Sequence, residues 1–209
     1  MKAHHSGLQC VLPPFILESL ARNGSAQERD HAIRNLSLDH SLRAARLMAT
    51  SPAATAPATG APSPSRTIAD AKTSTNLPGT TVRSEGGAPT DDVAVNEAYD
   101  GLGSTFDFYW NIYSRNSIDG NGLPLAATVH YDQGYDNAFW NGERMIFGDG
   151  DGTYFNRFTI AVDVIGHELT HGVTGSERNL DYQGQAGALN ESVSDVFGSL
   201  VKQHAQATA

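Results

Sequence analysis

A stretch of 17 residues in the first third of the chain limits how the whole can fold. Residues 49–65 read ATSPAATAPATGAPSPS and contain only Ala, Thr, Ser, Pro and Gly. This segment has no large apolar side chain to bury, and its four prolines oppose a helix, so we expect a disordered, extended linker. The linker divides the 209-residue chain into a head segment, residues 1–48, and a body, residues 66–209.

The head segment is predicted to have little core of its own. Apolar residues recur at helical spacings between residues 30 and 48, which is enough for one or two short helices. Ahead of them, Pro13 and Pro14 predict an extended stretch that presents the large apolar side chains of residues 15–17. We therefore expect the head to need another surface on which to fold.

The body has the pattern of an α+β domain. Apolar faces at helical spacing predict three helices, over about 90–113, 161–173 and 189–203. Short β-type runs separated by Gly, Asn and Asp clusters predict an antiparallel sheet with tight turns, with strands at 126–131, 138–141 and 144–147. The expected fold class is α+β, with an antiparallel β-sheet beside the helices.

Charge and cysteine content exclude several classes of protein. The head and linker together carry a net charge of +2 and the remainder −11, and so acidic a body disfavours nucleic acid or an anionic membrane as partner. A single cysteine, Cys10, rules out an intrachain disulfide. No apolar run reaches the roughly 18 residues of a membrane span, and the first residues lack the apolar core of a secretory signal.

Two histidines four positions apart are the strongest chemical signal. In the run His167-Glu168-Leu169-Thr170-His171, four helical residues advance by about 400°, so both imidazoles project from nearly the same face and can share a metal ion. Glu168 lies about 100° round the helix, where it can reach a water on that metal without ligating it. The short motif also arises by chance, so its context must decide.

The next predicted helix supplies that context. Glu191 follows His171 by twenty residues and can provide the third ligand that a catalytic zinc requires, while Asp195, one turn further, can accept the free ring N–H of a histidine. With zinc bound, Glu168 can act as general base for hydrolysis of a peptide bond. The competing interpretation is a surface helix with ordinary polar residues and two histidines that cap or pack.

Four long motifs resemble the thermolysin-like zinc metalloproteases: residues 137–142, 148–152, 163–173 and 187–195. The head around Pro13-Pro14 and residues 198–203 are most similar to the protealysin-type branch, which has a short propeptide. The resemblance implies residues 1–48 as a propeptide-like segment, 49–65 as linker and 66–209 as the N-terminal catalytic domain. It implies a zinc metalloendopeptidase precursor with His167, His171 and Glu191 as zinc ligands. Glu168 would be the general base, and Asp195 would be the hydrogen-bond partner of His167.

The resemblance also implies a substrate cleft. Asn137, Ala138 and Trp140 would hold the peptide backbone as an added edge strand. Phe155, Phe158 and Val164 would form the apolar pocket for the residue after the scissile bond, which implies cleavage before large apolar residues. From the residues alone, the pocket positions fit an ordinary core equally well.

Two departures from the family pattern bear on function. Relatives that need Ca²⁺ have a glutamate where this chain has Lys202, and Asp163 matches another calcium ligand; a lysine there argues against a double-calcium site. The chain also ends soon after the second zinc helix, so we expect the C-terminal helical domain to be absent, with its oxyanion-stabilising histidine and tyrosine. A truncated, non-catalytic zinc-binding protein or a propeptide-type inhibitor is therefore the alternative function.

Location and regulation follow as further expectations. The family implies secretion, although no classical signal is present, and a cytoplasmic protein is the alternative. The head would keep the enzyme inactive, with residues 13–17 near the cleft and Cys10 approaching the zinc. A free cysteine in a mobile tail is the competing interpretation of Cys10.

Overall fold

The computed structural model describes residues 12–48, 62–177, 180 and 184–208. Cys10 and residues 49–61 of the predicted linker lie outside these ranges, so the hypotheses about them stay predictions. Residues 62–65 form neither helix nor strand and lead directly into the first strand. None of the helices within the described ranges has the length and apolarity required to cross a bilayer.

A five-stranded sheet forms the centre of the body. The strands are β1 (Arg66–Asp70), β2 (Thr80–Ser84), β3 (Leu125–Val129), β4 (Ala138–Trp140) and β5 (Met145–Phe147). Their order across the sheet is β2-β1-β3-β5-β4, which puts β2 and β4 at the edges. The three predicted strands are present within a residue or two of their expected bounds.

The sheet is mixed, which corrects the prediction of an antiparallel one. The outer pairs, β1 with β2 and β4 with β5, are antiparallel, whereas β1 with β3 and β3 with β5 are parallel. Parallel neighbours need a long crossover. Between β1 and β3 that crossover includes the helix α3 (Val93–Tyr113), which packs on the sheet. The sequence analysis had not assigned β1 and β2, so the order was not predictable from it.

Helix α3 begins and ends close to the prediction. Asp92 caps its N-terminus, because the carboxylate accepts hydrogen bonds from the backbone N–H groups of Ala94 and Val95. Gly101 lies where α3 meets the next helix: a Cβ there would be 2.2 Å from Cδ1 of Ile165. Any side chain at this position would have to displace the buried side chain of Ile165.

Two helices complete the body and hold the zinc motifs. They are α4 (Val162–Glu177), preceded by a 3₁₀ turn at Phe158–Ile160, and α5 (Gly184–Thr208). Gly198 allows these helices to pack closely, since a Cβ at that position would lie 2.5 Å from the carbonyl oxygen of Asp163. This close packing brings the ligand-bearing faces of both helices together.

The head segment forms two helices, α1 (Pro14–Asn23) and α2 (Ala26–Met48). The prediction of an extended stretch at residues 13–17 is therefore wrong beyond Pro13. Pro14 stands in the first helical turn, where no backbone N–H is needed and the fixed φ of proline suits a helix. Buried Leu12, Leu17 and Ala32 form a small cluster that packs against Phe155 of the body. The head thus folds on another surface, as expected.

Candidate metal centre

Two histidines of α4 point their ring nitrogens at the same place. Nε2 of His167 and Nε2 of His171 lie 3.0 Å apart. Both rings are buried. Two imidazole nitrogens this close have no room for a hydrogen on each, so at least one of them presents a lone pair.

The other nitrogen of each ring faces an acceptor on α5. Nδ1 of His167 lies 2.9 Å from Oδ1 of Asp195, and Nδ1 of His171 lies 2.9 Å from Oδ1 of Asn190. Because carboxylate and amide oxygens only accept, both Nδ1 atoms carry the hydrogen. The lone pairs are therefore on Nε2, as in metal-ligating histidines.

Glu191 brings a carboxylate to the same point. Its Oε2 lies 3.4 Å from Nε2 of His167, and its Oε1 lies 3.7 Å from Nε2 of His171. One ligand atom from each of the three residues lies within 4.8 Å of the others. Two imidazoles and one carboxylate, with a side left open, are the donor set of a catalytic zinc site. The three residues therefore fit a zinc ion.

Negative charge dominates the surroundings of His167. Burial lowers the pKa of this imidazole, but the hydrogen bond with Glu191 and the charges of Glu168, Glu191 and Asp195 raise it, and the pKa is raised overall. These groups therefore favour a positive charge at the imidazole. A divalent cation would supply that charge.

Glu168 is fixed against the sheet. Its carboxylate is fully buried, and Oε2 accepts a hydrogen bond of 3.0 Å from the backbone N–H of Trp140 in β4. The side chain leaves α4 beside the two histidines but turns toward the edge strand. It thus links the metal centre to β4, where a peptide is predicted to align.

The residues predicted to bind the substrate backbone lie in the edge strand β4 and immediately before it. Asn137 precedes the strand, and its Oδ1 accepts from the backbone N–H of Leu12 at 3.2 Å, so the head segment contacts this side chain. Its Nδ2 donates to Asp39 of α2 at 3.1 Å. The N–H groups of Ala138 and Trp140 bind side chains within the body, Asn137 and Glu168 respectively.

The three predicted pocket residues belong to one apolar cluster. Phe158 is buried in this cluster, and Phe155 and Val164 are partly buried against the cluster. The rings of Phe155 and Phe158 lie 6.1 Å apart. Val164 also lines a small cleft of about 190 Å³ together with His167 and Asp195. Phe155 packs against the head cluster as well. The structure thus brings these residues together beside the metal centre, and part of the group is covered by the head.

The comparison with protein families adds a decisive observation. The family model of the thermolysin metallopeptidase catalytic domain matches residues 50–175, more than half of the chain. The chain belongs to the thermolysin family of metallopeptidases. The model of the alpha-helical domain of the same family matches residues 178–209. Part of the helical domain therefore lies in this chain, which corrects the expectation that this domain is absent.

Three relatives in the thermolysin family are similar along nearly the whole chain. An extracellular metalloprotease of Pectobacterium carotovorum is 53% identical over 194 residues, which are 93% of this chain and 55% of the relative. Protease PrtS of a Photorhabdus species is 45% identical over 98% of this chain and 56% of the relative. The solved precursor of protealysin from Serratia proteamaculans has 52% identity and a TM-score of 0.82, and the match covers 96% of this chain and 57% of that one. This chain thus spans little more than half the length of these relatives.

Lys202 forms a salt bridge. This is the position expected to distinguish the chain from calcium-dependent members of the thermolysin family. Nζ of Lys202 on α5 lies 2.8 Å from Oδ2 of Asp163 on α4. The lysine therefore contributes a positive charge beside the predicted calcium ligand.

Two residues of the site were missed by the sequence analysis. Asn190 and Ser194 are buried on α5, and both contact Nδ1 of His171, Ser194 through Oγ at 3.0 Å. They precede Glu191 and Asp195 by one residue each and are four positions apart. Their helical spacing, parallel to that of the predicted pair, was the signal that could have identified them.

Proposed function

We propose that this chain carries the zinc centre of a metalloendopeptidase in its precursor form. The observation that carries the proposal is the convergence of three donor groups, with both Nδ1 atoms engaged by acceptors and both Nε2 atoms turned toward Glu191. Membership in the thermolysin family supports the same conclusion.

In this proposal His167, His171 and Glu191 hold the zinc. Zinc in such a site lowers the pKa of a bound water and polarises the carbonyl of the scissile bond. Asp195 and Asn190 orient the two rings and keep the hydrogens on Nδ1. Glu168 would take a proton from the attacking water on its carboxylate and later deliver it to the leaving amine.

The substrate is a peptide that aligns with the free edge of β4. Asn137, Ala138 and Trp140 lie along this edge, and β5 pairs with the other side of the strand. Phe155, Phe158 and Val164 receive a large apolar residue that follows the cleaved bond. Glu168 then lies between strand and zinc ligands, which suits a base that acts on the bond held there.

The head acts in this proposal as a propeptide that covers the cleft. Leu12 donates its backbone N–H to Asn137, the side chain assigned to the substrate backbone. The head cluster covers Phe155. A segment that uses both groups competes with a peptide substrate. We divide the chain accordingly into a propeptide, residues 1–48, a linker, residues 49–65, and a catalytic portion, residues 66–209.

We also propose that the mature enzyme acts outside the cell, since a relative with 53% identity is named an extracellular metalloprotease. Its partners are then peptide or protein substrates. The remaining helical domain of the family is expected to complete the cleft and to stabilise the transition state.

The test combines zinc content with peptide hydrolysis. We would compare the parent with Glu191→Ala, Glu168→Gln and a control, Glu143→Ala, whose side chain is 76% exposed. Glu191→Ala should bind one zinc ion fewer than the parent, whereas Glu168→Gln should bind as many as the parent. An unchanged zinc content in the Glu191→Ala chain would refute the proposed centre.

Activity is measured after cleavage of the linker, on peptides with Phe or Leu following the scissile bond. The same chain joined to the part of the Pectobacterium relative that lies beyond the match should hydrolyse them, and its Glu168→Gln variant should not. Absence of hydrolysis in the joined protein would favour the non-catalytic or inhibitory alternative.

A further inference from the structure

A second group of potential metal ligands lies where the head meets the body. His31 of α2, Asp136 just before β4 and Asp151 in the loop after β5 each offer a ligand atom, and these atoms lie within 4.8 Å of one another. The group shares no residue with the zinc centre described above. It combines one imidazole from the head with two carboxylates from the body.

Asp136 is the buried member of this group. Its side chain is 1% exposed, and Oδ2 lies 2.7 Å from Nε2 of His31. The other oxygen, Oδ1, is buried and has no well-formed hydrogen bond with a described residue. A buried carboxylate oxygen without a partner is unfavourable. A cation bound between these three side chains would provide the partner.

The surrounding hydrogen bonds hold the ligand side chains in place. Oδ1 of Asn35 accepts the backbone N–H of Asp136 at 2.8 Å, and its Nδ2 donates to the carbonyl oxygens of His31 and Gly134, both at 3.2 Å. Asp151 accepts three backbone N–H groups of its own loop through Oδ1. These bonds hold the backbone of His31 and Asp136 and the carboxylate of Asp151 in place.

The group is open to solvent on one side. His31 and Asp151 line a cleft of about 720 Å³ between the head helices and the loops of the body. Such a cleft gives an ion a path of entry and leaves space for water as a further ligand. Arg34 also lines the cleft, but its guanidinium donates to the carbonyl oxygen of Gln133 and lies 4.0 Å from Asp132.

We propose that His31, Asp136 and Asp151 bind a second divalent transition-metal ion, which joins the propeptide to the catalytic portion. One imidazole and two carboxylates suit Zn²⁺ or a similar first-row ion, whereas Ca²⁺ takes six to eight oxygen ligands. Since the ligands come from both sides of the interface, the ion binds only while the head is docked. By linkage, the ion therefore stabilises the docked state.

The experiment counts zinc and identifies its ligands in the full chain. Metal-free protein is dialysed against buffered Zn²⁺, and bound zinc is measured by mass spectrometry for the parent, His31→Gln, Asp151→Asn and Glu191→Ala. His40→Gln is the matched control, because His40 lies on the same helix and is exposed. In His31→Gln, the Gln side chain at position 31 can still donate a hydrogen bond to Asp136 and so preserve docking, but it is a poor zinc ligand.

We expect two zinc ions per chain in the parent and in His40→Gln, and one in His31→Gln, Asp151→Asn and Glu191→Ala. Added Zn²⁺ should also slow proteolysis of the linker in Glu191→Ala but not in the double variant with His31→Gln. A single zinc in the parent that only Glu191→Ala removes would overturn the second site and leave the first intact. Two ions in His31→Gln would also overturn it, whereas two ions in Glu191→Ala would count against the catalytic centre.

Discussion

Nδ1 of His167 lies 2.9 Å from Oδ1 of Asp195, so a carboxylate on α5 fixes the ring of a proposed zinc ligand on α4. The imidazole is almost wholly buried, whereas the Asp195 side chain is 76% exposed. Asp195 therefore contributes little to the core. Its main effect is on the orientation and charge of the ring.

Replacement of this carboxylate should weaken zinc binding with little loss of stability. We expect Asp195→Ala to reduce zinc affinity about 10- to 100-fold, because the ring loses the group that orients it and raises its basicity. Competition with a chromophoric chelator measures the affinity. The exposed neighbour Ser192 provides the control variant Ser192→Ala, which should bind zinc as the parent does. Equal affinity in all three proteins would contradict the role of Asp195.

The close packing of α4 and α5 gives a second prediction. A methyl group at Gly198 would lie 2.5 Å from the carbonyl oxygen of Asp163, so Gly198→Ala must push the helices apart. We expect a loss of about 1–3 kcal/mol in the free energy of unfolding, typical of overpacking, and weaker zinc binding because Glu191 moves away from the histidines. Denaturant unfolding and the same zinc titration measure both. Gln203→Ala, at an exposed position of α5, should change neither.

The salt bridge between Lys202 and Asp163 predicts how the chain responds to calcium. Both side chains are partly exposed, at 45% and 37%, so Lys202→Ala should cost at most about 1 kcal/mol. The thermal midpoint of the parent should not rise when Ca²⁺ is added. Lys202→Glu would place a second carboxylate beside Asp163, and Ca²⁺ should then raise the midpoint. A calcium-dependent midpoint in the parent would show that the lysine does not replace the ion.

Which side chains meet at the candidate site was more predictable than the topology of the sheet. Spacing along a helix determines which side chains share a face, so His167, His171 and Glu168 could be assigned from sequence, as could Glu191 and Asp195 on the next helix. These residues converge in the structure as that spacing suggested. Their individual roles are tested by the variants described above.

Strand order depends on contacts that local patterns do not encode. In β2, Val82 is exposed and no alternation of apolar and polar residues marks the strand. Pro14 shows why the extended stretch at residues 13–17 was predicted wrongly. Consecutive prolines favour an extended chain, but a proline is also suited to the first turn of a helix. The contact of Leu12 with Asn137 joins residues 125 positions apart, and no periodic pattern predicts such a pair.

A partly buried imidazole between two carboxylates should make stability depend on pH. His130 lies 2.8 Å from Asp149 through Nδ1 and 2.8 Å from Asp92 through Nε2. The hydrogen bond with Asp149, against the opposing effect of burial, raises the pKa of His130 from 6.5 to about 9, and Asp92 adds to the rise. Because the folded pKa lies above the unfolded one, the stabilisation is complete below pH 6.5 and is lost as the pH rises through about 9.

His130→Asn tests this dependence, since asparagine tolerates the positive φ of 53° at this position. Allowing for solvent screening, we expect the variant to be less stable than the parent by about 1–2 kcal/mol at pH 6, with the difference shrinking toward pH 9.5. Denaturant unfolding across this range measures it. His40→Asn, at an exposed site, is the matched control. A constant difference for His130→Asn would contradict the assigned charge.

The hydrogen bonds of Asp39 in α2 should help to hold the head on the body. It is buried, and its carboxylate accepts from the hydroxyl of Tyr135 at 2.7 Å and from Nδ2 of Asn137 at 3.1 Å. Asp39→Ala would remove the acceptor for both buried donors, a loss of about 1–3 kcal/mol. The isolated head should then bind the linker-cleaved body about 10- to 100-fold more weakly, as measured by calorimetry. Glu18→Ala, which removes only an exposed pair with Arg22, should leave the affinity unchanged; an equal effect of both variants would contradict the assignment to Asp39.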